Sequence, residues 1–410
     1  MSCGVFCRSA HAPDGIRRAP VVAPFEQATE PERTTVITPK LLYDLLVARG
    51  ADFFAGIPDS LLKDFCAYIT DHTPRDRHVI AANEGAAVGL AAGYHIATGR
   101  YPVVYLQNSG MGTIVNPLLS LVDEEVYSVP VIFVVGWRGE PGTVDEPQHV
   151  KQGKVTLDML QAMGMKYAVL SDNEDDARTQ IDECFTHLRD RSAPYFFVVR
   201  RGTFAKYALA TPDTAPYELD REEALKIIVS RLDAADIVVS TTGMLSRELF
   251  ELREALGHGH DRDFLTVGSM GHSSQIALGI ALHARTRTIF SLDGDGAALM
   301  HLGSLAIIGS MGPTNFKHIV FNNGAHDSVG GQSTVGFHAD LCAVAKACRY
   351  RHVFSAATRA ELEAAIRDLR DCGGPAFLEI RIRKGSRENL ERPTSKPVHN
   401  KQLLMAALQR

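Results

Sequence analysis

The sequence predicts an α/β protein of two tandem parallel-sheet domains. Three observations carry this. Short β-rich apolar runs alternate with helix-like segments, the pattern of a parallel sheet covered by helices. The alternation stops once, at a polar stretch holding Pro212 and Pro216, and then restarts. The length of 410 residues is too great for one compact core and suits two domains of ordinary size.

Residues 1–33 are rich in Pro, Ala, Arg and Glu without periodicity, so a disordered tail is expected there. The first domain is placed at 34–206. Its helix-like segments are 39–49, 60–68 and 85–98, and its strands are 53–55, 79–81, 103–106, 131–135 and 195–199. A linker follows at 207–219. The second domain, 220–405, opens with a helix at 221–232, a strand at 237–240, a helix at 246–256 and a strand at 265–267. Further strands are expected at 288–292, 318–321 and 376–382.

The composition, 45% hydrophobic and 22% charged, is that of a globular chain, and the net charge of −5 argues against a broad nucleic-acid surface. Seven cysteines, Cys3, Cys7, Cys66, Cys184, Cys342, Cys348 and Cys372, are scattered without a CxxC pair. That pattern points to free thiols in a reducing compartment. No apolar run has the length of a membrane span, and no basic region followed by an apolar stretch marks a signal peptide. A cytoplasmic protein is expected.

The unusual residues sit directly after the expected strands, where open α/β sheets bind ligands. Asp293-Gly294-Asp295-Gly296-Ala297 follows one strand, and Asn322-Asn323-Gly324 follows the next, with 25 residues (297–321) between Gly296 and Asn322. Gly294 and Gly296 admit a phosphate close to the backbone, and a helix expected from about Ala298 offers N–H groups to an anion. Mg²⁺ takes about six oxygens, phosphate oxygens among them. Asp295, the amide oxygen of Asn323, a backbone carbonyl near Ala325 and two diphosphate oxygens suit that shell. Two unrelated turns are the alternative. Thr242 and Gly243 end another strand and suit a diphosphate, although helix capping is an equally good role for that loop.

GDG, about 25 residues and then NN resembles the cofactor signature of thiamine diphosphate (ThDP)-dependent enzymes. The resemblance implies tandem pyrimidine-binding and diphosphate-binding domains, with Gly294, Asp295, Gly296, Ala297, Asn323, Thr242 and Gly243 at the cofactor. It implies Mg²⁺ on Asp295, Asn323 and Ala325. Glu84, an isolated acid in Ala82-Asn83-Glu84-Gly85-Ala86, matches the carboxylate that activates the cofactor's pyrimidine; a Glu serving the helix dipole is the alternative. Met270 matches the apolar side chain that bends the cofactor, with a core Met as the alternative. Ser60, in Gly56-Ile57-Pro58-Asp59-Ser60, matches a contact to the substrate carboxylate or a helix cap. Asn108-Ser109-Gly110-Met111-Gly112 matches a loop beside the thiazolium, with Gln107 and Asn108 as candidate substrate contacts.

Two domains leave no room for the middle domain of larger family members. Gly136-Trp137-Arg138-Gly139-Glu140-Pro141-Gly142, Asp145-Glu146-Pro147-Gln148-His149, Ser328-Val329-Gly330-Gly331-Gln332 and Arg392-Pro393-Thr394 resemble the phosphonopyruvate decarboxylase family, with sulfopyruvate decarboxylases as near relatives. The resemblance spans about residues 36–405. It implies decarboxylation of a phosphonate-bearing 2-oxo acid in phosphonate biosynthesis, by a homo-oligomer of at least two chains with sites at the subunit interface. Another 2-oxo acid substrate, or a non-catalytic ThDP-binding paralogue, are the other readings. A phosphonate calls for cations; Lys63, Arg138, Arg247, Lys384 and Arg387 are candidates, each with a solvated surface role as the alternative. His149, His272 and His326 lie in motif loops as candidate proton relays.

Overall fold

The computed structural model describes residues 35–210 and 215–410. The tail expected at 1–33 lies outside the described residues, as does the centre of the linker.

Strands β1 Phe53–Gly56, β2 His78–Ile80, β3 Pro102–Gln107, β4 Ile132–Gly136, β5 Lys166–Val169 and β6 Tyr195–Val199 form one sheet, ordered β2-β1-β3-β4-β6-β5. Strands β7 Ile237–Ser240, β8 Asp263–Leu265, β9 Ile289–Gly294, β10 Phe316–Asn322, β11 His352–Ala356 and β12 Ala376–Arg381 form the other, ordered β8-β7-β9-β10-β12-β11. Every pairing within the sheets is parallel. The two sheets therefore repeat one strand order, and in each the order reverses between its first and third strands.

Period-two alternation explains why the central strands read as unbroken apolar runs. Phe54, Val103, Tyr105, Ile132, Val134 and Phe197 bury on one face of the first sheet. Their neighbours Ala55, Val104, Leu106, Phe133, Val135 and Phe196 bury on the other. On that second face Phe133 and Phe196 stack at 4.3 Å, and truncating either to Ala costs about 3–5 kcal/mol. The second sheet divides the same way, with Val238, Phe290 and Ile319 on one face and Val239, Ile289 and Val320 on the other.

The sequence expectation missed β5 and β11. Both are edge strands with half-exposed faces, so neither writes an apolar run. Helix boundaries also shift. The helix expected from about Ala298 begins at Asp295 and runs only to Met300. The described ends of the linker are tied down: Tyr207 N–H donates to Asp64 at 2.9 Å, and Asp220 caps the helix Arg221–Val229 in a capping box with Glu223.

Candidate active site

The C-terminal ends of β1, β3, β7 and β9, at the reversal point of each sheet, open onto one cavity of about 880 Å³ lined by both domains. On the first-domain wall, β2 leads into Asn83, whose side chain accepts from Ala86 N–H at 2.9 Å and caps the helix Glu84–Thr98. Glu84 thus occupies the first helical turn, buried, with its carboxyl facing the cavity. Burial pushes its pKa up, opposed by a backbone N–H and the Thr113 hydroxyl. Gly110 packs so closely that a β-carbon there would lie 2.4 Å from Glu84 Oε1. Asn83 Nδ2 also donates to the carbonyl of Met300 at 3.3 Å, which ties this wall to the second domain.

On the opposite wall β9 delivers Gly294 and Asp295. Asp295 is 2% exposed. Burial pushes its pKa up to about 6, and what counters the burial is the Thr334 hydroxyl and backbone N–H groups rather than a cation. Gly336 lets the Thr334 loop lie over Asp295, since a β-carbon there would sit 2.4 Å from Asp295 Oδ2. Asn323, at the end of β10, donates to Asp327 at 2.7 Å and accepts from Ala325 N–H at 3.1 Å, so its amide orientation is set. Asn323 and Ala325 both line the cavity. Among the described residues no cluster of three His, Cys, Asp or Glu side chains gathers to hold a metal. One buried, uncompensated carboxylate beside neutral oxygens fits a divalent cation whose shell is completed by phosphates.

Thr242, Gly243, Met270, Gly296 and Ala297 line the same cavity. The helix Met244–Ala255 has Gly243 as its N-cap and no side-chain cap bond, so Thr242 is not its cap. Met270 follows Ser269, held at φ +52°, and packs against the core face that carries Phe133 and Phe196. Ser60 lines the cavity and accepts from Arg138 Nη1 at 2.6 Å. Its neighbour Asp59 accepts from Leu61 and Leu62 N–H at 3.0 and 3.3 Å, while Asp59 Oδ1 is buried without a partner.

Asn108 is a correction. It does not line the cavity. Its NH₂ donates to Arg138 O at 2.8 Å and Thr156 Oγ1 at 2.9 Å, and its oxygen accepts Arg138 N–H at 3.1 Å. Both amide atoms are engaged, by the Arg138 backbone and by Thr156. Gln107, the other candidate contact, lines the cavity with its amide nitrogen 3.4 Å from His149 Nε2. His149 Nδ1 is held by Asp145 at 3.0 Å. Burial works to raise the Asp145 pKa, but hydrogen bonds from Arg138 and His149 hold it well below the usual carboxylate range.

His272 and His326 also line the cavity, and burial pushes His326 down to about 4. The sequence reading missed His301, whose ring lies 4.4 Å from that of His272 and whose pKa is lowered first by burial and then by that neighbour. Of the five candidate cations, Arg138 and Arg247 reach the cavity; Lys63, Lys384 and Arg387 do not. Arg201 and Arg221 line it without any motif having marked them, and Arg392 lines it from the Arg392-Pro393-Thr394 motif.

A carboxylate on one sheet facing a diphosphate-type loop on another defines a ThDP enzyme of the two-domain kind. Family models agree in both halves: thiamine pyrophosphate enzyme N-terminal TPP binding domain over residues 38–168, and the C-terminal TPP binding domain over 242–380. The chain is 35% identical over 367 residues to the phosphonopyruvate decarboxylase of Streptomyces viridochromogenes, spanning 86% of this chain and 90% of the relative. It is 36% identical over 376 residues to that of Streptomyces hygroscopicus, spanning 86% and 89%. A sulfopyruvate decarboxylase of Methanosarcina acetivorans is 24% identical over 367 residues, spanning 84% and 90%. The chain belongs to the phosphonopyruvate decarboxylase family of thiamine pyrophosphate enzymes. It is a ThDP-dependent decarboxylase. Among the described residues no helix is long and apolar enough to cross a membrane.

Proposed function

We propose that this enzyme, with ThDP and Mg²⁺, converts 3-phosphonopyruvate to phosphonoacetaldehyde and CO₂. The observation that carries the reading is the single cavity with Glu84 on one wall and Asp295 and Asn323 on the other. Bound ThDP supplies a nucleophilic carbon and an electron sink for the departing CO₂. Glu84, raised by burial, shares a proton with the pyrimidine ring. Asp295, the Asn323 amide oxygen and the Ala325 carbonyl would hold Mg²⁺ with the diphosphate, and Gly294, Gly296, Ala297, Thr242, Gly243 and Met270 would line the cofactor's place in the cavity. Ser60, fixed by Arg138, faces the substrate carboxylate. Asp145 accepts from His149 Nδ1 and so turns Nε2 toward the Gln107 amide, which donates to it, as the ring's relay position. Removing CO₂ draws an unfavourable upstream phosphonate-forming step forward, which places the enzyme in phosphonate biosynthesis.

We also propose a homodimer or larger assembly with shared sites. In the chain described, both walls belong to one polypeptide, and exchanging domains between two chains would preserve every contact named above. The helix Glu84–Thr98 exposes Leu90 and Ile96, and Val126 and Tyr127 are exposed further along the first domain, apolar side chains that a second copy could cover.

The test is purified protein with ThDP, Mg²⁺ and phosphonopyruvate, followed by the phosphorus resonance of phosphonoacetaldehyde. Absence of the aldehyde with brisk turnover of sulfopyruvate overturns the substrate assignment. Glu84→Gln is expected to bind ThDP and lose about 10²–10⁴-fold in kcat; undiminished turnover removes Glu84 from its role.

A further inference from the structure

One side of the cavity carries more positive charge than the roles above use. Arg138, Arg201, Arg247 and Arg392 gather there with Asp145 and Glu146, and the buried Asp59 also attracts Arg138. Arg138 Nε donates to Asp145 at 2.8 Å, and Arg201 lies 3.7 Å from the same carboxylate. Asp145 is thereby committed to the first domain's own arginines. Glu146, at the N-cap of the helix Pro147–Ala162, faces the second domain. Its Oε1 lies 3.6 Å from Arg247 Nη2 and also meets Arg392 Nε.

Both pairs converge on one buried oxygen that has no hydrogen-bond partner, so the attraction there is Coulombic and directional bonds are unmade. The Arg247 side chain is only 27% exposed. Its pKa is lowered by burial and by the facing guanidiniums of Arg392 and Arg138, with Glu146 alone opposing. Arg247 and Arg392 together face the one carboxylate of Glu146, so displacing it frees two guanidinium charges. Arg247 sits in the first turn of the helix Met244–Ala255, and Arg392 on the segment whose Pro393, Ser395 and Pro397 also wall the cavity.

We propose that Arg247 and Arg392 form the subsite for the doubly charged phosphonate of the substrate, with Glu146 as a resident counter-ion that the phosphonate displaces. Planar guanidinium forks match a tetrahedral oxyanion two bonds at a time, and the two charges freed when Glu146 is displaced match a phosphonate dianion better than a sulfonate monoanion. This rests on the phosphonopyruvate reading. It extends that reading by naming which side chains set the choice between phosphonate and sulfonate.

The test measures both kinetics and equilibrium binding on the ThDP–Mg²⁺ holoenzyme. The kinetic substrate is phosphonopyruvate; the calorimetric probes are the unreactive 3-phosphonopropionate and its sulfonate counterpart. Arg247→Gln and Arg392→Gln are expected to raise KM for phosphonopyruvate and Kd for 3-phosphonopropionate about tenfold or more each, with a smaller loss for the sulfonate and ThDP binding retained. Glu146→Gln is expected to move both constants the other way. Arg392→Lys, which keeps the charge but not the fork, should fall between. Losses below about threefold in both arginine variants, or equal losses for phosphonate and sulfonate, overturn the subsite. A wild-type enzyme that binds 3-phosphonopropionate through these arginines without turning over phosphonopyruvate would overturn the proposed reaction and leave the subsite standing; failure of the wild type to bind the probe overturns the subsite itself.

Discussion

Asp295→Asn should make the cofactor-free protein more stable while removing what the cofactor normally adds. In the folded chain the Asp295 carboxyl is moved by burial from 3.8 to about 6. Between those values the native state holds a proton that the unfolded state has lost, so stability falls as pH rises through that window. Above about pH 6 the full penalty applies, about 3 kcal/mol. Asparagine has nearly the same shape, still accepts from Thr334 and the neighbouring N–H groups, and carries no charge to bury. In EDTA near pH 7 the variant is therefore expected to melt a few degrees above wild type, and near pH 4 the difference should close. With ThDP and Mg²⁺ at a thousandfold excess over Kd the wild type gains about 4.1 kcal/mol, whereas the variant gains little, so the order of melting reverses. Thermal unfolding at two pH values, with and without the ligands, reads all of this. A variant less stable than wild type in EDTA near pH 7, or a gap that does not depend on pH, would show that the Asp295 charge is not the uncompensated group described.

Other outcomes follow from the same geometry. Gly110→Ala inserts a β-carbon where the Glu84 carboxyl lies, so kcat should fall at least tenfold with little change in ThDP affinity; steady-state kinetics with cofactor titration checks it, and a wild-type kcat contradicts the close packing. Co-refolded Glu84→Gln and Asp295→Ala chains, each inactive alone, should recover about a quarter of wild-type activity if sites are shared between two chains, because half the dimers would carry one intact site. No recovery would assign both walls of each site to one polypeptide.

The sequence showed most clearly what lies at strand ends. Gly294-Asp295, Asn322-Asn323, Thr242-Gly243 and Glu84 each follow an apolar run, and a run buried on both faces is the strongest local signal in a parallel sheet. Residues that act from loops without a strand behind them left no such mark. Thr334 and Gly336 come to Asp295 through tertiary folding alone, and His301 follows a helix of six residues. Asn108 failed for a different reason: it stands beside the cavity in sequence, but the turn after β3 directs its amide inward to Thr156 and the Arg138 backbone. Edge strands β5 and β11 were missed because a half-exposed strand has no reason to be continuously apolar.

The repetition of one strand order in both sheets has a consequence for how the site responds to motion. Each sheet offers its own reversal point, and the two meet over one cavity. A ligand with chemically dissimilar ends is gripped at one end by each copy of the same plan. Neither sheet holds a reduced version of the activity; each holds a contact that counts only when the other is in register. The enzyme therefore behaves as a coincidence device, in which a small change in the gap between two unaltered sheets is enough to switch the chemistry off.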